Sequence, residues 1–342
     1  MPFWKRAFQR KRAPKTSDGA VREAFYALLD HDLDRAQEML SRAAQIDPDE
    51  IDAYLMLGRL YRERGEVGRA IRIHQNLMLR PELDGEQGTE VLTELASDFR
   101  AGGFLRRAIA SFEEVLSRDS NNRRALRELS GLLESVRDHA RAIEVEKKLA
   151  RLEGRDPAPR ESQLWVEMAR SAEAEGRAAD ARKALKKATR RNAGNIDAWA
   201  LLGRIEAEEK RAKQAIAAWR RVPEIDRRAG PRVYGQLAAT FAAMGKPRDF
   251  EKYLEGLLEK DPDDPRARLA LADALASRGD GDGAVAEIRK LLERDPGDLA
   301  AHGALGRALL ASGQHADALK GYAELLGILE RRGLLQAAEH LE

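Results

Sequence analysis

The sequence predicts an all-α protein, a right-handed α-solenoid of about nine stacked helical hairpins, and three observations predict it. The 342 residues are 43% hydrophobic and 35% charged but only 5% aromatic, and strong helix formers (Ala, Leu, Glu, Lys, Arg) outnumber strand formers. A second signal is periodic: from Ala36 through Ala70, Ala108, Ala142, Ala181, Ala215, Phe250, Ala284 and Ala318 the steps are 34, 38, 34, 39, 34, 35, 34 and 34 residues. The third is a small residue twelve positions before each of these anchors: Ala24, Gly58, Ala96, Ser130, Ala169, Gly203, Ala238, Ala272 and Gly306. A unit of that length cannot bury its apolar face alone, so it must stack on its neighbours.

Within a repeat the elements follow in order. The first helix carries the small residue and ends five positions before the anchor, where six repeats place glycine (Gly65, Gly103, Gly176, Gly245, Gly279, Gly313) for a left-handed cap. The second helix carries the anchor, and Pro48, Pro262 and Pro296, each behind an Asp, close three of the hairpins. Residues 52–78 show the pattern: Leu57, Leu60 and Tyr61 on the first helix, Ala70, Ile71, Ile73 and Leu77 on the second, all at helical spacing. The two long steps place extra residues at 79–88 and 151–160, both rich in breakers, which read as lengthened loops on a continuous array. The fourth repeat, with Ser130 and no turn glycine, is the least regular. The predicted organisation is a basic aromatic tail over residues 1–16, nine repeats over 17–330, and a capping helix end over 331–342. The repeated residues resemble the tetratricopeptide repeat, which implies a protein-binding scaffold.

Composition and motifs exclude much chemistry. With 60 Lys and Arg against 58 Asp and Glu the formal charge is +2, so no nucleic-acid partner is expected. The chain has no cysteine, which removes disulfides, thiol nucleophiles and cysteine metal sites. His31, His74, His139, His302, His315 and His340 are scattered without ligand spacing, and no phosphate loop, dinucleotide fingerprint or nucleophile elbow occurs. The expectation is therefore no enzyme, no cofactor and no metal.

Binding residues remain. The polar offsets of the first helices give an arginine track, Arg59, Arg62, Arg100, Arg127, Arg170, Arg204 and Arg307, suited to bidentate grips on an acidic peptide or protein surface. A solvated charged face satisfies the same pattern. In the tail, Phe3, Trp4, Ala7 and Phe8 share one helical face beside Lys5, Arg6, Arg10, Lys11 and Arg12. Such a segment suits weak contact with an anionic membrane, through Phe3, Trp4, Lys5, Arg6, Phe8 and Arg10, and equally suits a solvated basic tail. Homo-oligomers are open too, since an uncovered apolar end can pair with its copy.

The most specific string is LGRLYRERGEVGRAIRIHQNLM, residues 57–78, in which Arg72, His74 and Gln75 exceed what hairpin packing is expected to need. It resembles the second repeat of the lipopolysaccharide assembly protein B family. The resemblance implies a cytoplasmic adaptor, peripheral at the inner membrane, that links a membrane-bound AAA protease to the deacetylase committing carbon to lipid A. It also implies departures from the family: no opening transmembrane helix, and no closing rubredoxin-like domain with its four cysteines. Arg59, Arg62, Arg72, His74 and Gln75 are the expected contact patch, whose joint replacement by alanine is expected to abolish binding and leave melting unchanged. A tetratricopeptide scaffold in motility, secretion or cell division needs only the repeat and is the alternative.

Overall fold

The computed structural model describes residues 15–334 apart from Glu82 and Asp84. Among them are eighteen α-helices and no strand. They pair as α1 (Ser17–Leu29) with α2 (Leu33–Ile46), α3 (Ile51–Glu63) with α4 (Val67–Met78), α5 (Gly85–Ala101) with α6 (Leu105–Arg118), and α7 (Arg123–Ser135) with α8 (His139–Glu153). The series continues with α9 (Ala158–Ala174) and α10 (Ala178–Arg191), α11 (Ile196–Glu208) and α12 (Ala212–Ile225), and α13 (Pro231–Ala243) and α14 (Pro247–Lys260). It ends with α15 (Pro265–Ser277) and α16 (Gly281–Arg294), then α17 (Leu299–Ala311) and α18 (His315–Arg331). The chain divides into two compact units, Met1–Leu164 and Trp165–Glu342.

The hairpin turn is one device used nine times. At the position five before each anchor the backbone is left-handed, with φ between 68° and 87° at the six glycines. The three repeats without glycine adopt the same conformation, at His31 (φ 56°), Arg137 (61°) and Lys210 (59°). In each turn the next amide bonds back five residues, as in Glu66 N–H to Tyr61 O and Arg211 N–H to Glu206 O, both 2.8 Å, which satisfies a carbonyl the helix end would otherwise leave free. The fourth repeat is therefore as regular at its turn as the others.

The anchors are the core. All eight alanine anchors are fully buried and Phe250 is 3% exposed, so the two helices of a hairpin meet at their smallest side chains. The extra residues of the third and fifth repeats do not mainly lengthen loops. They extend the first helices, so α5 and α9 have 17 residues where α3, α7 and α11 have 13. Prolines at 157 and 159 permit this, because amides in a first helical turn have no intrahelical acceptor to lose.

Candidate protein-interaction surface

In the first unit the structure brings Arg59, Arg62 and His74 into one charged network. Glu94 and Asp98 on α5, both with fully buried side chains, are its centre. Arg62 reaches Glu94 at 2.8 Å and Asp98 at 2.5 Å, and Arg59 reaches Glu94 at 2.9 Å and Glu90 at 2.8 Å. Arg124 on α7 closes on Glu94 at 2.5 Å, so three successive hairpins meet on one carboxylate. Burial pushes the Glu94 carboxyl upward, but the hydrogen bonds from Arg124 and Arg62 and the charges of Arg124 and Arg59 outweigh it and hold the group at about 2. Burial likewise opposes the charge of Arg62, and Glu94 and Asp98 overcome that too, leaving its pKa raised.

His74 corrects the sequence reading. It is fully buried, its Nδ1 is 2.5 Å from Asp98 Oδ2, and its Nε2 has no hydrogen-bond partner. Its ring lies against Gly58, where a Cβ would fall within 3 Å of ring atoms. His74 is thus needed for packing after all and cannot touch a partner directly. Arg72 and Gln75, on the outer side of α4, are exposed.

The remaining arginines are spent within the chain. Arg100 pairs with Glu128 (2.7 Å), Arg127 with Glu153 (2.7 Å) and Arg170 with Glu167 (2.7 Å). Arg204 grips Glu173 through both terminal nitrogens at 2.5 and 2.8 Å and also contacts Glu208, while Arg307 is 3.9 Å from Asp273. Three of these six pairs, Arg100–Glu128, Arg204–Glu173 and Arg307–Asp273, run from a first helix to an acid on a neighbouring hairpin; the others close within one hairpin or one helix. An acidic ligand would have to compete with carboxylates already in place, although half-exposed pairs are worth only about 0–1 kcal/mol each and give way readily. Phe3, Trp4, Lys5, Arg6, Phe8 and Arg10 lie outside the described residues.

A feature the sequence reading missed is in the second unit. A mainly apolar crevice of about 370 Å³ opens between α13 and α15, floored by Tyr234 and Phe250 and walled by Gly235, Ala238, Ala242, Ala270 and Ala274. It occurs in the hairpin whose anchor is Phe250 rather than alanine. The aromatic ring occupies the point where the other hairpins close, stacking toward Phe241 (centroids 6.1 Å) and Tyr253 (6.5 Å). The facing rows of Gly and Ala at helical spacing were the available signal. Among the described residues no helix is long and apolar enough to cross a membrane.

Stacked antiparallel hairpins with small-residue anchors and left-handed turns define a tetratricopeptide repeat protein. The tetratricopeptide repeat profile matches residues 9–296 and a second one matches 275–337, and the chain belongs to this family. Among individual proteins, it is 28% identical over 264 residues to lipopolysaccharide assembly protein B of Escherichia coli K12, covering 77% of this chain and 67% of that protein. The namesake of Haemophilus influenzae is 30% identical over 167 residues, 49% of this chain and 42% of the other. Among solved structures, the MamA protein superposes with a TM-score of 0.36 at 18% identity, over 51% of this chain and 95% of MamA, a likeness too distant to support any functional comparison.

Proposed function

We propose that this chain is a non-catalytic protein-interaction scaffold serving lipopolysaccharide assembly. On this reading it works at the cytoplasmic face of the inner membrane as an adaptor, bringing the deacetylase that commits carbon to lipid A to a membrane-bound AAA protease. The observation that carries the reading is the length of the match to lipopolysaccharide assembly protein B: 264 residues, across 77% of the chain. The fold supports the scaffold part of the reading, because hairpins that contact only their neighbours leave long helical faces for partners.

Within the expected patch, the partner touches Arg72, Gln75 and the exposed edge of Arg59. Arg62 and His74 act from behind, by fixing α3 and α4 against α5. The test is co-purification with the protease and the deacetylase from host membranes, together with the deacetylase half-life in a strain lacking this protein. Recovery of both proteins and a changed half-life are expected. An unchanged half-life, with recovery of a motility, secretion or division complex instead, would leave the scaffold and remove the lipid A role.

A further inference from the structure

The apolar crevice of the second unit is built as a seat that cannot close by side-chain rotation. Its walls, Gly235, Ala238 and Ala242 on α13 with Ala270 and Ala274 on α15, have no rotamer to swing inward. Its floor is aromatic: Phe250 is 3% exposed, and Tyr234 presents its ring, because its hydroxyl lies against Gly230 at the start of α13. Equivalent positions in other repeats show why the space is open. Two residues past the small residue of their first helices, Leu60 and Ile205 are each 2% exposed and pack into the preceding hairpin. The residue at that place in α15 is Ala274, so the volume that Leu60 and Ile205 fill in their own hairpins is left as the crevice of about 370 Å³. Pockets that hold ligands start at about 300 Å³, so this one suits a single large side chain rather than a whole helix.

We propose that the crevice receives one large apolar side chain of a partner protein, carried on a segment with lysine or arginine beside it. The apolar half follows from the walls and floor, and charge at the mouth gives the basic half. Of the two charged residues lining the crevice, Arg278 is already held by Glu251 at 2.8 Å and by Asp280 at 3.1 Å. Asp273 is held loosely: Arg307 is 3.9 Å away, and the two side chains are 66% and 64% exposed. A cation of the partner therefore reaches the Asp273 carboxylate without breaking a buried pair. Ala242 and Ser277, which also line the crevice, sit in the last turns of α13 and α15, where the helix ends favour positive charge. An acidic segment would meet like charge in the same place. Because the walls and ring floor are fixed before binding, the protein gives up little freedom to seat the side chain.

This contact is separate from the one on α4 and does not depend on the lipid A role, so its test needs neither. Three blocked heptapeptides, alike except for a central Lys-Phe-Lys, Glu-Phe-Glu or Lys-Ala-Lys, are titrated to about 5 mM into the full-length protein with isotope-labelled alanine methyls, a range that registers even millimolar binding. The Lys-Phe-Lys peptide is expected to shift the methyls of Ala238, Ala242, Ala270 and Ala274 to saturation. Glu-Phe-Glu should bind about tenfold more weakly, and Lys-Ala-Lys should leave those methyls in place. Asp273→Asn, an exposed substitution, should weaken Lys-Phe-Lys about threefold and strengthen Glu-Phe-Glu. Ala274→Leu should abolish binding of both while melting no lower than the parent, since it supplies the side chain that fills this place at Leu60. Methyls unmoved by Lys-Phe-Lys, or undiminished binding to Ala274→Leu, would overturn the crevice as the seat. Equal affinity for the lysine and glutamate peptides, or an Asp273→Asn variant that binds both as the parent does, would overturn the basic partner.

Discussion

The indole of Trp219 lies directly over Gly203, so close that a Cβ at that glycine would come within 3 Å of three ring atoms. The same relation joins Gly58 to His74 and Gly306 to Tyr322, always sixteen residues apart across one hairpin. Where the first-helix residue is alanine, the residue sixteen further on is a fully buried Leu40, Phe112, Leu185 or Leu254, or Ile288 at 1% exposure. The two sites exchange volume: a ring stands over each of these three glycines, and four of the five residues over alanine are aliphatic, Phe112 over Ala96 being the exception.

Gly203→Ala is therefore expected to lower stability by about 1–3 kcal/mol through overpacking. Combining it with Trp219→Leu should recover a good part of that loss, because the pair then matches the alanine and leucine of the first and fifth repeats. Thermal melts of the two single variants and the double variant measure the coupling. Additive losses would show that the glycine is not there for the ring.

The turns support a prediction of opposite sign. Arg137 and Lys210 hold the left-handed conformation that glycine holds in six other repeats, and φ near 60° costs an L-residue about 1 kcal/mol. Lys210→Gly and Arg137→Gly should each stabilise the protein by about 0.5–1 kcal/mol, despite the extra chain entropy of glycine when unfolded. Denaturant midpoints at constant slope would register the gain. A loss at either site would mean that its side chain supports the turn in a way its backbone does not reveal.

Much of the fold was legible because it is written in local spacing. The anchors at Ala36 to Ala318 and the six turn glycines follow from what one hairpin needs, and each hairpin needs the same. Three things were not legible. The left-handed turns at His31, Arg137 and Lys210 are imposed by the hairpin on residues that do not favour them. Several of the acids that neutralise the arginine track pair across stacked hairpins, as Glu94 and Asp98 do with Arg62, 32 and 36 positions away, so those appear only once the stack exists, whereas Glu167, three residues from Arg170, lies in local sequence. The crevice beside Phe250 depends on one large anchor where a small one was expected, and its consequence for spacing is three-dimensional.

Glu94 gives a pH signature. Its carboxyl is fully buried and held at about 2, below the usual glutamate value near 4.3, so the folded state favours the charged form. A depressed folded value stabilises above the unfolded pKa and is lost as pH falls toward the folded one. The contribution should be constant from neutral pH to about 5, then fade between roughly 4.5 and 2, with a total on the order of 3 kcal/mol. Glu94→Gln should be less stable at pH 7 and should flatten the stability profile in that acid window. A parallel profile for the variant would place the acid sensitivity elsewhere.

The contact patch is best tested in two parts, because the structure gives its five residues different work. Joint alanine replacement of Arg59, Arg62, Arg72, His74 and Gln75 would no longer be expected to leave melting unchanged. Arg62→Ala alone strips Asp98 of its arginine and Glu94 of one donor, and breaking a buried pair of this kind costs about 3–5 kcal/mol. Arg72→Ala with Gln75→Ala removes only exposed side chains, and stability should shift by no more than about 0.5 kcal/mol. If α4 presents the contact, the second variant should lose partner binding while its melting temperature stays with the parent. If binding survives there and falls only in Arg62→Ala, in step with melting, the exposed residues of α4 are not the contact and the network acts through the fold alone.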